Sequence, residues 1–332
     1  MSEVTVPAAI DPAAVRTVVA PLYLDRRLPS GEPLIEHADG LAAIVRGLRP
    51  DPDLLAASYL FAAFDVVRDA DSWLEANFGA DIARLVGDLR QLMRVSERTR
   101  ESSERAGAPS GQAEALRRML LAMAGDLRVV LLRLASRLQT LRWFAASKQG
   151  DPIVVARETL QLYAPLANRL GVWQLKWELE DLSFRFLDPA TYKQIAGQLD
   201  AKRAERESFI SDAMARLQRL VAAAGIDADI AGRPKHIYSI WSKMQAKRLG
   251  FDQLYDVRAL RVIVTDVAAC YQVLALVHQH FTPVPSEFDD YIAKPKANGY
   301  QSLHTVVSDD AGRTGRLRGG AHLRPHTAGA RG

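Results

Sequence analysis

The sequence predicts a chain of two textures, an all-α first half followed by an α/β domain. From Asp11 to about Leu141, apolar residues recur at spacings of three and four among Ala, Leu and Arg, the pattern of amphipathic helices. After Gly225, β-branched runs such as ALRVIVTD (Ala259–Asp266) alternate with helix-like stretches, the order of an α/β domain. At 332 residues the chain is long enough for two hydrophobic cores.

In order, helix breaks fall at Leu28–Pro33 and Pro50–Pro52, where prolines and a glycine interrupt the periodicity. The polar stretch SERTRESSERAGAPSGQ (Ser96–Gln112) lacks large apolar residues and reads as a loop. Arg117–Phe144 reads as a buried helix pair turning near Gly125-Asp126, and Asp151–Arg185 as a helical block punctuated by Gly171. A helix over Asp200–Ala224 carries the stripe Phe209, Ile210, Met214, Leu217, Leu220 and Val221 and stops at Gly225. IDADIAGRPKHIYSIWSKM then reads as a strand, a Gly-Arg-Pro-Lys loop and a helix start. ALRVIVTD suits an interior strand, and Val267–His280 a helix.

Composition narrows the function classes. Hydrophobic residues are 48% and charged residues 25%, as in a globular chain, and the formal charge of +4 fits anionic small ligands or RNA. The single cysteine, Cys270, rules out an internal disulfide, reads as a buried thiol, and suits a reducing cytoplasm. No run approaches a membrane span, and the first residues lack the order of a signal peptide. The expected location is cytoplasmic, with neither membrane nor DNA as a partner.

EFDDYIAKPKANGYQSLHT (Glu287–Thr305) concentrates the chemistry. It reads as strand, loop, strand, with Tyr291-Ile292 before the polar centre and Leu303 and Val306-Val307 after it. Lys294 and Lys296 flank Pro295, whose fixed φ keeps the chain extended; Asn298-Gly299 turns it, and Tyr300 offers a flat face for a base. Taken alone, the stretch reads two ways: a solvated loop with a packing tyrosine, or a nucleotide site with cations for phosphates and a ring for the purine.

Four segments, YAPLANRLGVWQLKWELEDLSFRFLDP, GRPKHIYSIWSKM, YDVRALRVIV and DDYIAKPKANGYQSLHT, resemble in order the RelA/SpoT family, which makes and degrades guanosine tetra- and pentaphosphate in the stringent response. The resemblance implies a helical HD-type domain followed by a nucleotidyltransferase-like mixed-sheet α/β synthetase domain. It divides the chain into residues 1–150 (degenerate HD domain), 151–199 (helical connector), 200–312 (synthetase domain, incomplete at its C-terminus) and 313–332 (an aberrant basic tail). It also implies a GTP pyrophosphokinase that moves the pyrophosphate of ATP onto the 3′-hydroxyl of GTP or GDP with magnesium. Arg233, Lys235, Ser239 and Lys243 match the ATP-phosphate loop and its helix, with Arg233 stacking on adenine and Arg261 as a second such contact. Asp256 matches the magnesium ligand. Lys296, Asn298, Tyr300 and His304 match the guanine-nucleotide side, Tyr300 stacking on guanine while Lys296 and His304 reach its phosphates. Singly, Asp256 could cap a helix and Arg261 could pair with a surface acid. The acidic Glu287-Phe288-Asp289-Asp290 resembles the E-x-D-D of synthesis-only members.

In the helical half, the family's hydrolase site binds manganese with two histidines and two aspartates. His37 keeps the first ligand; Phe64 stands where the second histidine belongs, Asp65 remains, and Ser136 replaces the last aspartate. Arg68 replaces a catalytic glutamate, and Gln139 and Thr140 stand for His and Asn. Two ligands are too few for a transition-metal site and Arg68 would repel the ion, so neither manganese nor hydrolysis is expected.

The tail RTGRLRGGAHLRPHTAGARG holds five arginines, five glycines and no acid. Gly315 falls near the family's second metal-binding glutamate, in a strand the tail is not expected to form. The ribosome-sensing regulatory half is absent from this chain. Two readings follow: a GTP pyrophosphokinase enzyme, with weak or absent synthesis expected of this chain, or a truncated relic that holds ATP or GTP, or docks on a partner, without turnover. A basic tail touching RNA is a weaker third.

Overall fold

The computed structural model describes residues 10–49, 51–106, 125–201, 203–232, 236–251, 259–295, 301–310 and 314–321. The chain divides into two compact units, Met1–Asp188 and Pro189–Gly332.

The described elements of the first unit are helices, apart from one isolated bridge between Arg27 and Pro33: α1 Pro12–Tyr23, α2 Leu34–Leu48, α3 Pro52–Leu60, α4 Ala63–Val66, α5 Ala70–Phe78, α6 Ala80–Ala106, α7 Leu127–Ser147, α8 Ile153–Glu158, a π-helical turn Thr159–Tyr163, α9 Ala164–Arg169 and α10 Trp173–Leu187. Local chemistry sets the starts. Asp11, Asp51 and Asp126 each accept a hydrogen bond from a first-turn amide, at 3.0 Å from Ala13, 3.1 Å from Asp53 and 2.8 Å from Arg128. Leu41, Leu60, Leu85, Leu132 and Leu138 meet in one core, which also takes in Leu162 and Tyr163 from the π turn and Leu175 and Leu179 from α10. The helices up to Leu187 complete the first core, and the boundary falls after Asp188.

The expected loop at Ser96–Gln112 is also corrected: α6 continues to Ala106, and 107–112 lie outside the described residues. Glu and Arg in that stretch are good helix formers, and a helix can be polar on every side.

The second unit contains α11 Pro189–Ala201, α12 Arg203–Ala223, β1 Ala228–Gly232, α13 Ile237–Lys247, β2 Ala259–Val264, α14 Val267–His280, β3 Thr282–Pro283, β4 Asp289–Asp290, β5 Leu303–Ser308 and β6 Thr314–Ala321. Gly225, at φ +69°, follows α12 in the left-handed conformation that glycine tolerates. The strand order is β1-β2-β6-β5-β3, with β4 also paired to β5. β2 and β6 are parallel while β1–β2 and β5–β6 are antiparallel, so the sheet is mixed. Phe209, Leu217 and Val221 of α12 and Val273 and Val277 of α14 pack with Leu260, Val262, Val264, Leu303, Val307 and Leu317.

The tail departs most from expectation. Thr314–Ala321 is a strand inserted between β2 and β5, so neither of those strands is left with an open edge there. A segment flanked on both sides needs few apolar side chains, because its backbone donors and acceptors are satisfied by its neighbours. Residues 322–332 lie outside the described residues. Tyr291 and Ile292, expected in a strand, lie in a turn just after β4.

Candidate functional site

In the second unit, β1 ends at Gly232 opposite Leu260, one residue into β2, so both strands meet the same end of the sheet. The segments carrying Arg233, Lys235 and Asp256 leave from that end; these three residues lie outside the described ones. β5 begins at Leu303, which pairs with Gly319 of β6 next to Val262, nearer the other end. Lys296, Asn298 and Tyr300, also outside the described residues, precede it there. Along the strand direction the Leu260 and Val262 levels are two residues apart, roughly 7 Å.

One row of the sheet lies between them. Ala231, Arg261, Arg318, His304 and Asp289 are successive partners across β1, β2, β6, β5 and β4. Paired residues share a face, and Leu260 and Val262 belong to the core packed on the helices, so Arg261 lies on the opposite face; it is exposed there, while His304 and Val306 of β5 on that same face are buried. Two strand spacings, about 10 Å, separate the Arg261 and His304 backbones. His304 differs from expectation: it is 4% exposed, and its ring meets Tyr291 edge-on at 5.0 Å. So enclosed a ring is placed to support the Tyr291 turn rather than to reach far into solvent. Ser239 and Lys243, four apart on α13, share one half-buried helix face.

Two of the three acids in Glu287–Asp290 are held by side-chain contacts. Glu287 pairs with Lys247 of α13 at 3.4 Å. Asp290 Oδ1 accepts from the amides of Ile292 (2.9 Å) and Ala293 (2.8 Å), while its Oδ2 accepts the Tyr271 hydroxyl at 2.9 Å. Burial works against the charge of Asp290, but the bonds from Ala293, Tyr271 and Ile292 hold its carboxyl below the usual range.

Gly315 does not lie on the face that carries Arg261. It and Leu317 are buried with Phe209, Ala213, Leu217, Leu260, Phe281 and Val307 around a small cavity lined only by apolar surface. A carboxylate at 315 would point into that core, so this position does not suit the metal-binding acid expected near it. Asp310, the nearest upstream acid, is committed to Arg216 at 3.0 Å.

In the first unit, His37 is fully buried. Its Nδ1 lies 2.8 Å from Glu32 Oε2 and its Nε2 2.9 Å from Ser136 Oγ; Gln139 Nε2 donates to the other Glu32 oxygen at 2.8 Å. The Phe61 ring lies tilted against the imidazole, centroids 4.8 Å apart. Asp65 forms an ion pair with Arg90, whose guanidinium also lies 5.5 Å from the Phe64 ring centroid. Arg68 is exposed. Both nitrogens of the one surviving imidazole are occupied by side chains, and the surviving aspartate has a cation partner, so this donor set does not fit a metal ion. Glu32 was not singled out in the sequence; its signal was an acid five residues before His37 in a tight Ser-Gly-Glu-Pro turn.

Nearby, the π turn presents Tyr163 to two arginines of α7. Arg137 lies 4.5 Å and Arg133 5.1 Å from its ring centroid, and Arg137 also bonds Glu158 at 2.8 Å. No helix among the described residues is long and apolar enough to cross a membrane.

A helical unit followed by a mixed-sheet α/β unit defines the architectural class. Residues 15–173 match the HD domain, and residues 232–317 match the region found in RelA/SpoT proteins. The chain is 41% identical over 286 residues to the GTP pyrophosphokinase of Escherichia coli (strain K12), covering 86% of this chain and 38% of that protein. It is also 41% identical over 290 residues to a probable guanosine-3′,5′-bis(diphosphate) 3′-pyrophosphohydrolase of Synechocystis sp., covering 86% and 37%. The small alarmone synthetase 1 of Bacillus subtilis, solved with its product pppGpp, is similar over 38% of this chain and 74% of its own, at 21% identity and a TM-score of 0.33. The chain belongs to the RelA/SpoT family and spans a little over a third of the length of those two curated relatives.

Proposed function

We propose that the second unit is a (p)ppGpp synthetase site that holds ATP and GTP or GDP on the face of its sheet that carries Arg261 and moves pyrophosphate between them. In that reaction the 3′-oxygen of the guanine nucleotide bonds to the β-phosphorus of ATP, the bond from that phosphorus to the α-bridging oxygen breaks, AMP leaves, and the 3′-hydroxyl proton is released. The observation that carries the reading is the exposed Arg261 on a sheet row between two ends, one leading to Arg233, Lys235 and Asp256 and the other to Lys296, Asn298 and Tyr300. Two nucleotides entering from opposite ends would meet over that row. Arg233 and Arg261 would stack on adenine, Lys235, Ser239 and Lys243 would meet the ATP phosphates, and Tyr300 would stack on guanine with Lys296 and Asn298 beside it. His304 would brace the wall. Asp256 and the nucleotide phosphates would hold magnesium, which binds through one or two carboxylates plus phosphates and would neutralise developing charge.

The completed sheet favours binding, whereas the absence of any acid in 313–332 favours slow turnover, because the second carboxylate and a base for the 3′-hydroxyl are then both wanting. This favours a second reading, a site that holds nucleotide without turnover. In the first unit, the Glu32–His37–Ser136–Gln139 network supports loss of hydrolase activity and of manganese binding.

Nucleotide binding by calorimetry and pentaphosphate formation from labelled ATP, measured on one purified sample, test the proposal. Binding of both nucleotides with slow transfer is the expected result. Binding with no transfer selects the second reading, and no binding of either nucleotide overturns both.

A further inference from the structure

The acidic quartet has a mechanical side that its resemblance to E-x-D-D does not account for. Tyr271 sits on α14 and is 39% exposed, so burial is not what holds its ring in place. Its hydroxyl reaches 19 residues along the chain to Asp290 at 2.9 Å. Asp290 ends β4, where its backbone pairs with Leu303 at the start of β5, and its carboxylate closes the next turn through Ile292 N and Ala293 N. Two backbone bonds add to that turn: Lys294 N to Asp290 O at 3.2 Å, and Tyr291 N to Ser302 O at 3.0 Å. The stretch that brings Lys294 out of the sheet is thus tied to a helix by one side-chain hydroxyl and one carboxylate.

We propose that Tyr271 and Asp290 are positioning residues for the guanine-nucleotide side of the site, fixing the exit direction of the chain at Asp290–Lys294 by anchoring it to α14. This rests on the nucleotide reading above. Neither side chain need touch a ligand. The Tyr271 hydroxyl holds Asp290 Oδ2, which leaves Oδ1 aimed at the two amides of the turn.

Tyr271→Phe removes only the hydroxyl from an exposed ring and should leave global folding intact. Hydrogen exchange at the Ile292 and Ala293 amides, the thermal midpoint, and the Kd values for GTP and ATP, each on the full chain, separate the possibilities. The expected result is exchange about fivefold faster at those two amides, a GTP Kd weaker by about fivefold, and an unchanged ATP Kd and midpoint. Asp290→Ala should give a larger effect of the same kind, and Asp290→Asn, which keeps one acceptor oxygen, an intermediate one. Unchanged exchange in Tyr271→Phe overturns the anchor. Faster exchange with unchanged GTP affinity overturns the positioning role, as does equal weakening of GTP and ATP. Failure of the unsubstituted chain to bind GTP overturns the nucleotide reading and the positioning role together, and that titration is read before any variant.

Discussion

Gly40 has no side chain because Gln139 occupies the space: a Cβ built there would lie 2.1 Å from Gln139 Oε1. Gly40→Ala would push the Gln139 amide off Glu32, leaving a fully buried carboxylate oxygen without its donor, and should cost about 1–3 kcal/mol. The same substitution in a Gln139→Ala background should cost much less; equal costs in a denaturant-based double-mutant cycle would refute this coupling. Gly315 is the opposite case, a glycine with room beside it. Its neighbours Phe209, Leu217 and Leu317 border an apolar cavity, so Gly315→Ala should stabilise by about 1 kcal/mol, raising the denaturation midpoint without changing the slope. His37 and Ser136 were legible in the sequence as family positions, but not as partners. They lie 99 residues apart, and only the packing of α2 against α7 puts an imidazole nitrogen 2.9 Å from the hydroxyl.

At the scale of elements, legibility followed local chemistry. Val267–His280 was read with the bounds it has, because Asp266 caps it through Ala269 N at 2.8 Å and the apolar face is periodic. Interior strand β2 was equally plain from ALRVIV. β6 was not, since TGRLRGGA has one large apolar residue and its order comes from ladders on both sides, one to β5 just before it and one to β2 much earlier in the sequence. The π turn likewise left no mark in TLQLY. The α7 start supplies a pH prediction. Asp126 caps the helix, and its hydrogen bond from the Arg128 guanidinium holds its carboxyl below the usual range against a smaller opposing effect of burial. A lowered folded-state pKa stabilises fully above the unfolded value, about 3.9, and that contribution disappears as pH falls through the folded value. The thermal midpoint should therefore decline below about pH 4. Asp126→Asn keeps a capping oxygen and should decline less steeply over the same window; parallel curves would count against the assignment.

Across the whole molecule, the two units own separate cores with no buried residue in common. A fragment covering Pro189–Gly332 should consequently unfold in a single cooperative step by far-UV and near-UV circular dichroism. A fragment with helix signal but no near-UV signal would show that the second core depends on the first. Membership of the RelA/SpoT family was readable from ordered motifs, whereas the division at Asp188 was not, because α10 reads as a generic amphipathic helix until its partners are known. The position of β6 also bears on how the polypeptide is born. It is the last described strand to be synthesised, yet it forms the seam between β2 and β5. Until Ala321 has emerged from the ribosome, the nascent domain consists of two unjoined ladders, and translation halted before residue 314 would release them with both raw margins available to other chains.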